Sequence, residues 1–291
     1  MKNSNIGLVF SGGGVNGFVY VGVIKYLQEK GITPKVVGGT SVGSVFASLV
    51  SAGYTWEELY EYSLNLEKRI KTIKDVNWGS ISKSTLKFDF NNTNGLLKGE
   101  KIYNEIKTLL ENKNIKTFSD LKIPYYLHIV NINTGKDYCV DSLDKNNKDK
   151  NLIDYIRASI SIPGIFKPHE IDGEYYVDGG LKSNYPILSS AKICKNNDIV
   201  LDKIVNISIM EDFSRHDNYQ NESFIEILLR SISISIQDQY ESDTKLFKER
   251  HQDIELVNIE IKKIFKNSLL TAKISQAIDY GYNEIKKHLE N

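Results

Sequence analysis

Apolar residues fall along the chain in runs whose period switches between strand-like and helix-like. Ile6-Gly7-Leu8-Val9-Phe10 is a short apolar run, the pattern of a buried strand. From Phe18 to Glu29, Val19, Val23, Tyr26 and Leu27 recur near helical spacing, and Gly31 supplies a stop. Residues 34–38 return to a β-type run, and Ser44–Val50 reads as helix. The order β-α-β-α at the start of the chain predicts a parallel sheet covered by helices.

The rest of the chain repeats this alternation. Thr55-Trp56-Glu57-Glu58 has a capping pattern and opens a helix that runs to about Tyr62. Residues 64–99 are mixed, with loops at 80–84 and 91–94, and could form a lid or side wall. Glu100–Leu110 predicts a helix. Tyr125–Asn131 and Lys136–Asp141 predict two strands joined by Asn133-Thr134-Gly135. Lys145–Lys150 is a polar loop, and Leu152–Ser159 a short helix. Glu170–Val177 predicts a hairpin that turns at Asp172-Gly173. Asn184-Tyr185-Pro186 starts a helix through Ala191, and Lys203–Met210 is a strongly apolar strand. Residues 222–249 carry Phe224, Ile225, Leu228, Leu229 and Ile232 at helical spacing, although Ser231–Ile236 alternates as a strand would. Helical flanks favour one long helix, whose stripe reads first as core and alternatively as a lipid-facing surface. Ile254–Ile261 predicts a strand, and Ser268–Leu289 a last helix with Ile274, Ala277, Ile278 and Tyr282 on one face. With no repeat, low-complexity tract or linker, the expectation is a single domain over residues 1–291.

Composition narrows the function classes. The chain is 41% hydrophobic and 25% charged, with 37 basic and 37 acidic residues. A net charge of zero gives no argument for nucleic acid, and none for global attraction to an anionic membrane. Cys139 and Cys194 are far apart and lack metal-site spacing. Before the first strand there is no apolar signal region, and no apolar run approaches a membrane span. These features predict a soluble protein of the cytoplasm.

Three glycine-containing motifs carry candidate chemistry. Gly39-Thr40-Ser41-Val42-Gly43 reads G-x-S-x-G between a strand and a helix, the setting of a nucleophile elbow. Glycines at both flanks permit a strained, crowded turn with the serine at its tip. Earlier, Gly12, Gly14 and Gly17 formally match a dinucleotide fingerprint. That fingerprint wants an acidic residue about 20 positions on. Val36-Val37-Gly38-Gly39-Thr40 has none. The better reading is an oxyanion hole, in which backbone N–H groups of Gly12, Gly13 and Gly14 bind a negative oxygen. A nucleotide site and a plain tight turn are the alternatives. The third motif, Asp178-Gly179-Gly180, would be only a turn by itself. It ends a β-type run and precedes a helix, which places the aspartate at a strand end. A Ser-His-Asp hydrolase would need a histidine after Asp178. His216, His251 and His288 all sit in polar or charged contexts that read as surface, and His169 follows Pro168 near the presumed site.

Together the motifs resemble the patatin-like phospholipase family. The likeness covers about residues 6–190 and includes Ala158-Ser159-Ile160-Ser161-Ile162-Pro163 and Asn133-Thr134-Gly135. It implies a three-layer α/β/α sandwich with a mainly parallel sheet, related to α/β-hydrolases. It also implies hydrolysis of lipid acyl esters by a serine–aspartate dyad, without a metal or cofactor. By motif, Ser41 would be the nucleophile, Asp178 the base and the Gly12–Gly14 amides the oxyanion hole. Gly17, Gly39, Gly43, Gly179 and Gly180 would support them. The implied substrate is a phospholipid or other acyl ester, with transient membrane-surface contact. One residue departs from the pattern: the family usually has arginine where this chain has Asn16. The alternatives are a Ser-His-Asp carboxylesterase and a catalytically weak member that binds lipid or nucleotide.

Overall fold

The computed structural model describes residues 4–72, 97–213, 222–265 and 273–290. One mixed sheet collects strands from residue 6 to residue 262. They are β1 (Ile6–Phe10), β2 (Val36–Gly39), β3 (Tyr125–Asn131), β4 (Asp137–Asp141), β5 (His169–Ile171), β6 (Glu174–Asp178), β7 (Lys203–Met210) and β8 (Glu255–Lys262). Their order is β5-β6-β3-β2-β1-β7-β8, and β4 pairs with β3. The centre is parallel, through β3-β2, β2-β1, β1-β7 and β7-β8. Strands β4, β5 and β6 join antiparallel. β1, β2 and β3 are buried along their whole length, as strands covered on both faces must be.

Helices cover both faces. Ile6, Leu8 and Phe10 point into a large core, while the intervening Val9 points into a smaller one. The first layer holds α1 (Val19–Glu29), α2 (Val42–Ala52), α3 (Trp56–Thr72), α4 (Glu100–Glu111), α5 (Leu152–Ser159) and α8 (Ile274–Glu290). The second holds α6 (Ile187–Asn196) and the end of α7 (Phe224–Arg250), whose Phe247 is fully buried. The last helix packs on the first: a Cβ on Gly281 would lie 2.0 Å from the Val19 carbonyl oxygen. Ile274, Ala277 and Ile278 are buried there, as their spacing predicts.

Most predicted elements recur within a residue or two. The 170–177 hairpin turns at Asp172 (φ 53) and Gly173 (φ 79), the left-handed pair of a type I′ turn. Several readings change: the helix read through Ala191 continues to Asn196, and the stripe Phe224, Ile225, Leu228, Leu229 and Ile232, read first as core, has no fully buried side chain. The helix expected to end near Tyr62 continues to Thr72; its added turns are held by Arg69, which pairs with Glu105 of α4, and by Glu67, which accepts from the Ser275 N–H. The long helix favoured over a strand for Ser231–Ile236 is present, within a 27-residue α7 opened by a Ser223–Glu226 capping box. The loops expected at 80–84 and 91–94, the lid or wall they suggested, and the start of the last helix at Ser268 lie outside the described residues.

Register brings the two motif ends together. β4 occupies residues 126–130 of β3 along one edge. The other edge therefore takes both β2, at residues 125–127, and β6, at residues 129–131. β2 ends opposite Leu127 and β6 ends opposite Ile129, running in opposite directions. The chain leaving Gly39 and the chain leaving Asp178 thus meet head to head.

Candidate active site

Ser41 sits at the turn between β2 and α2 with φ 53 and ψ −132, a conformation that costs energy for a residue with a Cβ. The surrounding contacts impose it. The Ser41 N–H donates to Ser159 Oγ at 3.0 Å, and Thr40 Oγ1 donates to the Ser183 carbonyl at 2.6 Å. Ser44 Oγ donates to the Ser41 carbonyl at 2.6 Å. Only glycine fits on either side: a Cβ on Gly39 or Gly43 would lie 2.5 or 2.2 Å from the Phe10 carbonyl oxygen. Ser41 is 6% exposed.

Asp178 ends β6 and is 5% exposed. Its Oδ1 accepts from the Gly180 N–H at 2.7 Å, and its own N–H donates to the Ser161 carbonyl at 3.0 Å. Burial pushes the carboxyl pKa up to about 7, and contacts with the Ser41 hydroxyl and the Gly180 amide pull against that rise. A carboxylate of ordinary pKa is a weak base for a serine hydroxyl; one near neutrality is a better match. Gly179 must be glycine here, since a Cβ would lie 2.3 Å from the His128 carbonyl oxygen.

The first glycine loop packs directly on Ser41. A Cβ on Gly12 would lie 3.2 Å from Ser41 Cβ. The Gly12 N–H donates to Asn184 Oδ1 at 3.2 Å. No acceptor among the described residues takes the N–H of Gly13 or Gly14. Asn16 and Gly17 follow in a single 3₁₀ turn, Gly14–Phe18, and Gly17 lies against Val42.

Ser41, Asp178 and Gly12–Gly14 share a cavity of about 1340 Å³. One side is apolar, lined by Val45, Phe46, Leu49, Leu59, Ile106 and Leu109 from α2, α3 and α4. The other side mixes apolar residues with Glu211, Arg230 and Lys263. Among the described residues no histidine lines this cavity.

A family model described as patatin-like phospholipase matches residues 8–190. The chain belongs to the patatin-like phospholipase family. Over 196 residues it is 33% identical to an uncharacterized protein, YqhO, of Bacillus subtilis (strain 168), covering 62% of this chain and 64% of that protein. It is 31% identical over 196 residues to lysophospholipase NTE1 of Saccharomyces cerevisiae (strain ATCC 204508 / S288c), covering 64% of this chain and 10% of that one. The chain thus matches less than two thirds of either relative's length. VipD from Legionella pneumophila superposes with a TM-score of 0.50 at 16% identity, over 99% of this chain and 67% of VipD, a likeness of fold. The patatin-like match stops at residue 190, so β7, α7, β8 and α8 lie beyond it.

Several residues of this patatin-like site escape sequence reasoning. Ser159 binds behind the elbow, and Asn184 bridges the glycine loop to the chain after Asp178. Arg157 is 3% exposed; it donates to Ser161 Oγ at 2.6 Å and to the Lys98 carbonyl at 2.8 Å. It thereby ties the 158–161 segment to the start of α4. The Ser-Ile-Ser pattern hinted at Ser159, but nothing local marks Arg157 or Asn184 as partners across the chain.

The four described histidines do not line the cavity that holds Ser41. His169 does not line the cavity as its position suggested; its Nε2 lies 3.3 Å from Asp154 Oδ1. His251 ends α7 against Phe247, His288 bonds the Glu284 carbonyl, and His216 lies outside the described residues. His128 is buried between Asp137, at 3.0 Å from Nδ1, and Ser189, at 2.9 Å from Nε2. Burial pulls its pKa down, but the Cys139 sulfur and the Asp137 carboxylate outweigh this and push it up to about 10. Asp243 adds a further acidic neighbour. A histidine whose folded pKa is raised stabilises the fold fully below its unfolded pKa and loses that contribution as pH rises through the folded value. His128→Gln is expected to lower stability by about 3 kcal/mol near pH 6. The deficit should shrink as pH rises toward 10. Urea denaturation at pH 6 and 9.5 checks this, and an equal deficit at both would rule the charge out.

Proposed function

We propose that this chain is a lipid acyl hydrolase of phospholipase A type, which cleaves fatty-acyl esters through Ser41 and Asp178. The convergence of Ser41 with a buried carboxylate of near-neutral pKa, in a cavity no described histidine lines, carries the reading. Asp178 takes the Ser41 proton as Oγ attacks the ester carbonyl. The Gly13 and Gly14 N–H groups stabilise the oxyanion, a contribution of about 10²–10³ in rate per donor. The tetrahedral intermediate collapses to an acyl-enzyme, and Asp178 returns the proton to the leaving alkoxide. Asp178 then activates water, which releases the fatty acid. The wall from Val45 to Leu109 suits the acyl chain, each buried methylene contributing about 0.8 kcal/mol. The test is turnover of a soluble chromogenic ester and of phospholipid vesicles by the wild-type chain. Inertness of the folded protein toward both would overturn the reading.

The substrate's location adds a membrane contact to this proposal. Ile102, Phe213, Ile227 and Ile264 line the cavity and are each more than a third exposed. Phe224, one turn before Ile227 on α7, is 63% exposed. Apolar side chains around an opening suit insertion into a lipid surface. Phe224→Asp is expected to reduce hydrolysis of vesicles about tenfold and leave the soluble ester within about twofold. Equal loss on both substrates would place Phe224 in folding rather than in docking.

A further inference from the structure

Asn16 is 1% exposed, and its side chain makes three hydrogen bonds to a segment about 248 residues away. Oδ1 accepts from the Ile264 N–H and the Phe265 N–H, both at 2.9 Å. Nδ2 donates to the Phe265 carbonyl at 3.1 Å. The Asn16 backbone N–H donates to the Gly13 carbonyl at 3.2 Å, which ties the side chain's anchor to the oxyanion loop. Lys263, Ile264 and Phe265 lie outside the family match and line the cavity. That segment is itself held: the Lys263 N–H donates to the Met210 carbonyl at 3.1 Å, and its ammonium pairs with Glu211. The preceding Ile209 presses on the loop, its Cδ1 2.6 Å from where a Gly13 Cβ would be.

We infer that Asn16 is a positioning residue, which clamps the Gly12–Gly14 loop to Lys263–Phe265 so that the C-terminal part of the chain sets the oxyanion geometry. The inference rests on the hydrolase reading above. An asparagine can do this because its oxygen accepts two N–H groups while its nitrogen donates. An arginine has five donors and no acceptor, so it would leave the Ile264 and Phe265 N–H groups without Oδ1. Asn16 therefore serves through its acceptor, and the missing arginine charge is not a defect to be restored. Oxyanion donors act on the transition state, so a loosened loop lowers kcat more than it raises KM.

The experiment compares Asn16→Ala, Asn16→Arg and Asn16→Asp with wild type on the soluble chromogenic ester, with thermal melting to confirm folding. Asn16→Ala and Asn16→Arg are expected to lower kcat about tenfold to a hundredfold with KM within about threefold. Asn16→Asp keeps the acceptor and is expected to retain more activity than either. An Asn16→Arg variant as active as wild type, or a change confined to KM, would overturn the clamp. Amide hydrogen exchange supplies the second readout and needs no turnover. Exchange should quicken at the bonded loop amides of residues 12 and 16 and at 263–265 together in Asn16→Ala. Faster exchange at 263–265 alone would overturn the coupling. A wild type that hydrolyses nothing would instead sink the hydrolase reading, and exchange would then decide the clamp by itself.

Discussion

Ser41→Ala and Asp178→Asn are each expected to lower ester turnover by about 10⁴-fold or more, to the level of buffer alone. In the proposed mechanism the two groups act as one unit, since the hydroxyl without its base and the base without its nucleophile would both fail. The double variant should be no slower than either single one. For wild type, kcat/KM should rise with pH and level off above about pH 7, because Asp178 must be ionised to take the proton. Steady-state rates from pH 5 to pH 9 check both expectations. Retention of a tenth of the activity in Asp178→Asn would move the base elsewhere. A flat pH profile would remove Asp178 from the rate-limiting protonation.

Asp178→Asn is also expected to stabilise the protein above pH 7, by roughly 4 kcal/mol at most. The sign follows from proton linkage. The carboxyl has an unfolded pKa near 3.8 and a folded pKa near 7, so between them the folded state holds a proton that the unfolded chain has released. Unfolding free energy therefore falls as pH rises through that window, and the full penalty applies above it. Asparagine is neutral at every pH, and its oxygen can still accept from the Gly180 N–H. The gain should vanish below about pH 4, where aspartic acid is protonated in both states. Denaturant midpoints at pH 4.5 and pH 8 read the difference. An Asp178→Asn variant equally or less stable than wild type at pH 8 would contradict the buried-charge account. A loss of activity with a gain of stability is the signature of a site held against its own folding preference.

Local patterns exposed much of this site. Gly39 and Gly43 bracket Ser41 because the turn passes within contact of the Phe10 carbonyl, and that need is written in the residues themselves. Strand β1 reads as an apolar run because both its faces are covered. Ser231–Ile236 alternates as a strand would, but the helical spacing of its flanks is the better guide, and the stretch lies inside α7. His169 precedes Asp178 by nine residues, yet its ring pairs with Asp154 on α5.

The sequence by itself determined the alternation of strands and helices, the elbow at Ser41, the aspartate at a strand end and the patatin-like resemblance. The first three depend on residues a few positions apart, where steric rules and side-chain periodicity act directly, and the resemblance rests on several such local motifs taken together. Only the tertiary structure decided that Ser41 and Asp178 meet, because both β2 and β6 dock on one edge of β3. It alone decided the near-neutral pKa of Asp178, since burial is a property of everything packed around the carboxyl. The roles of Ser159, Asn184 and Arg157, and the clamp from Asn16 to Phe265, belong to the same class. Hydrogen bonds between residues tens to hundreds of positions apart leave no periodic trace in a single chain, so they become visible only once the chain has folded.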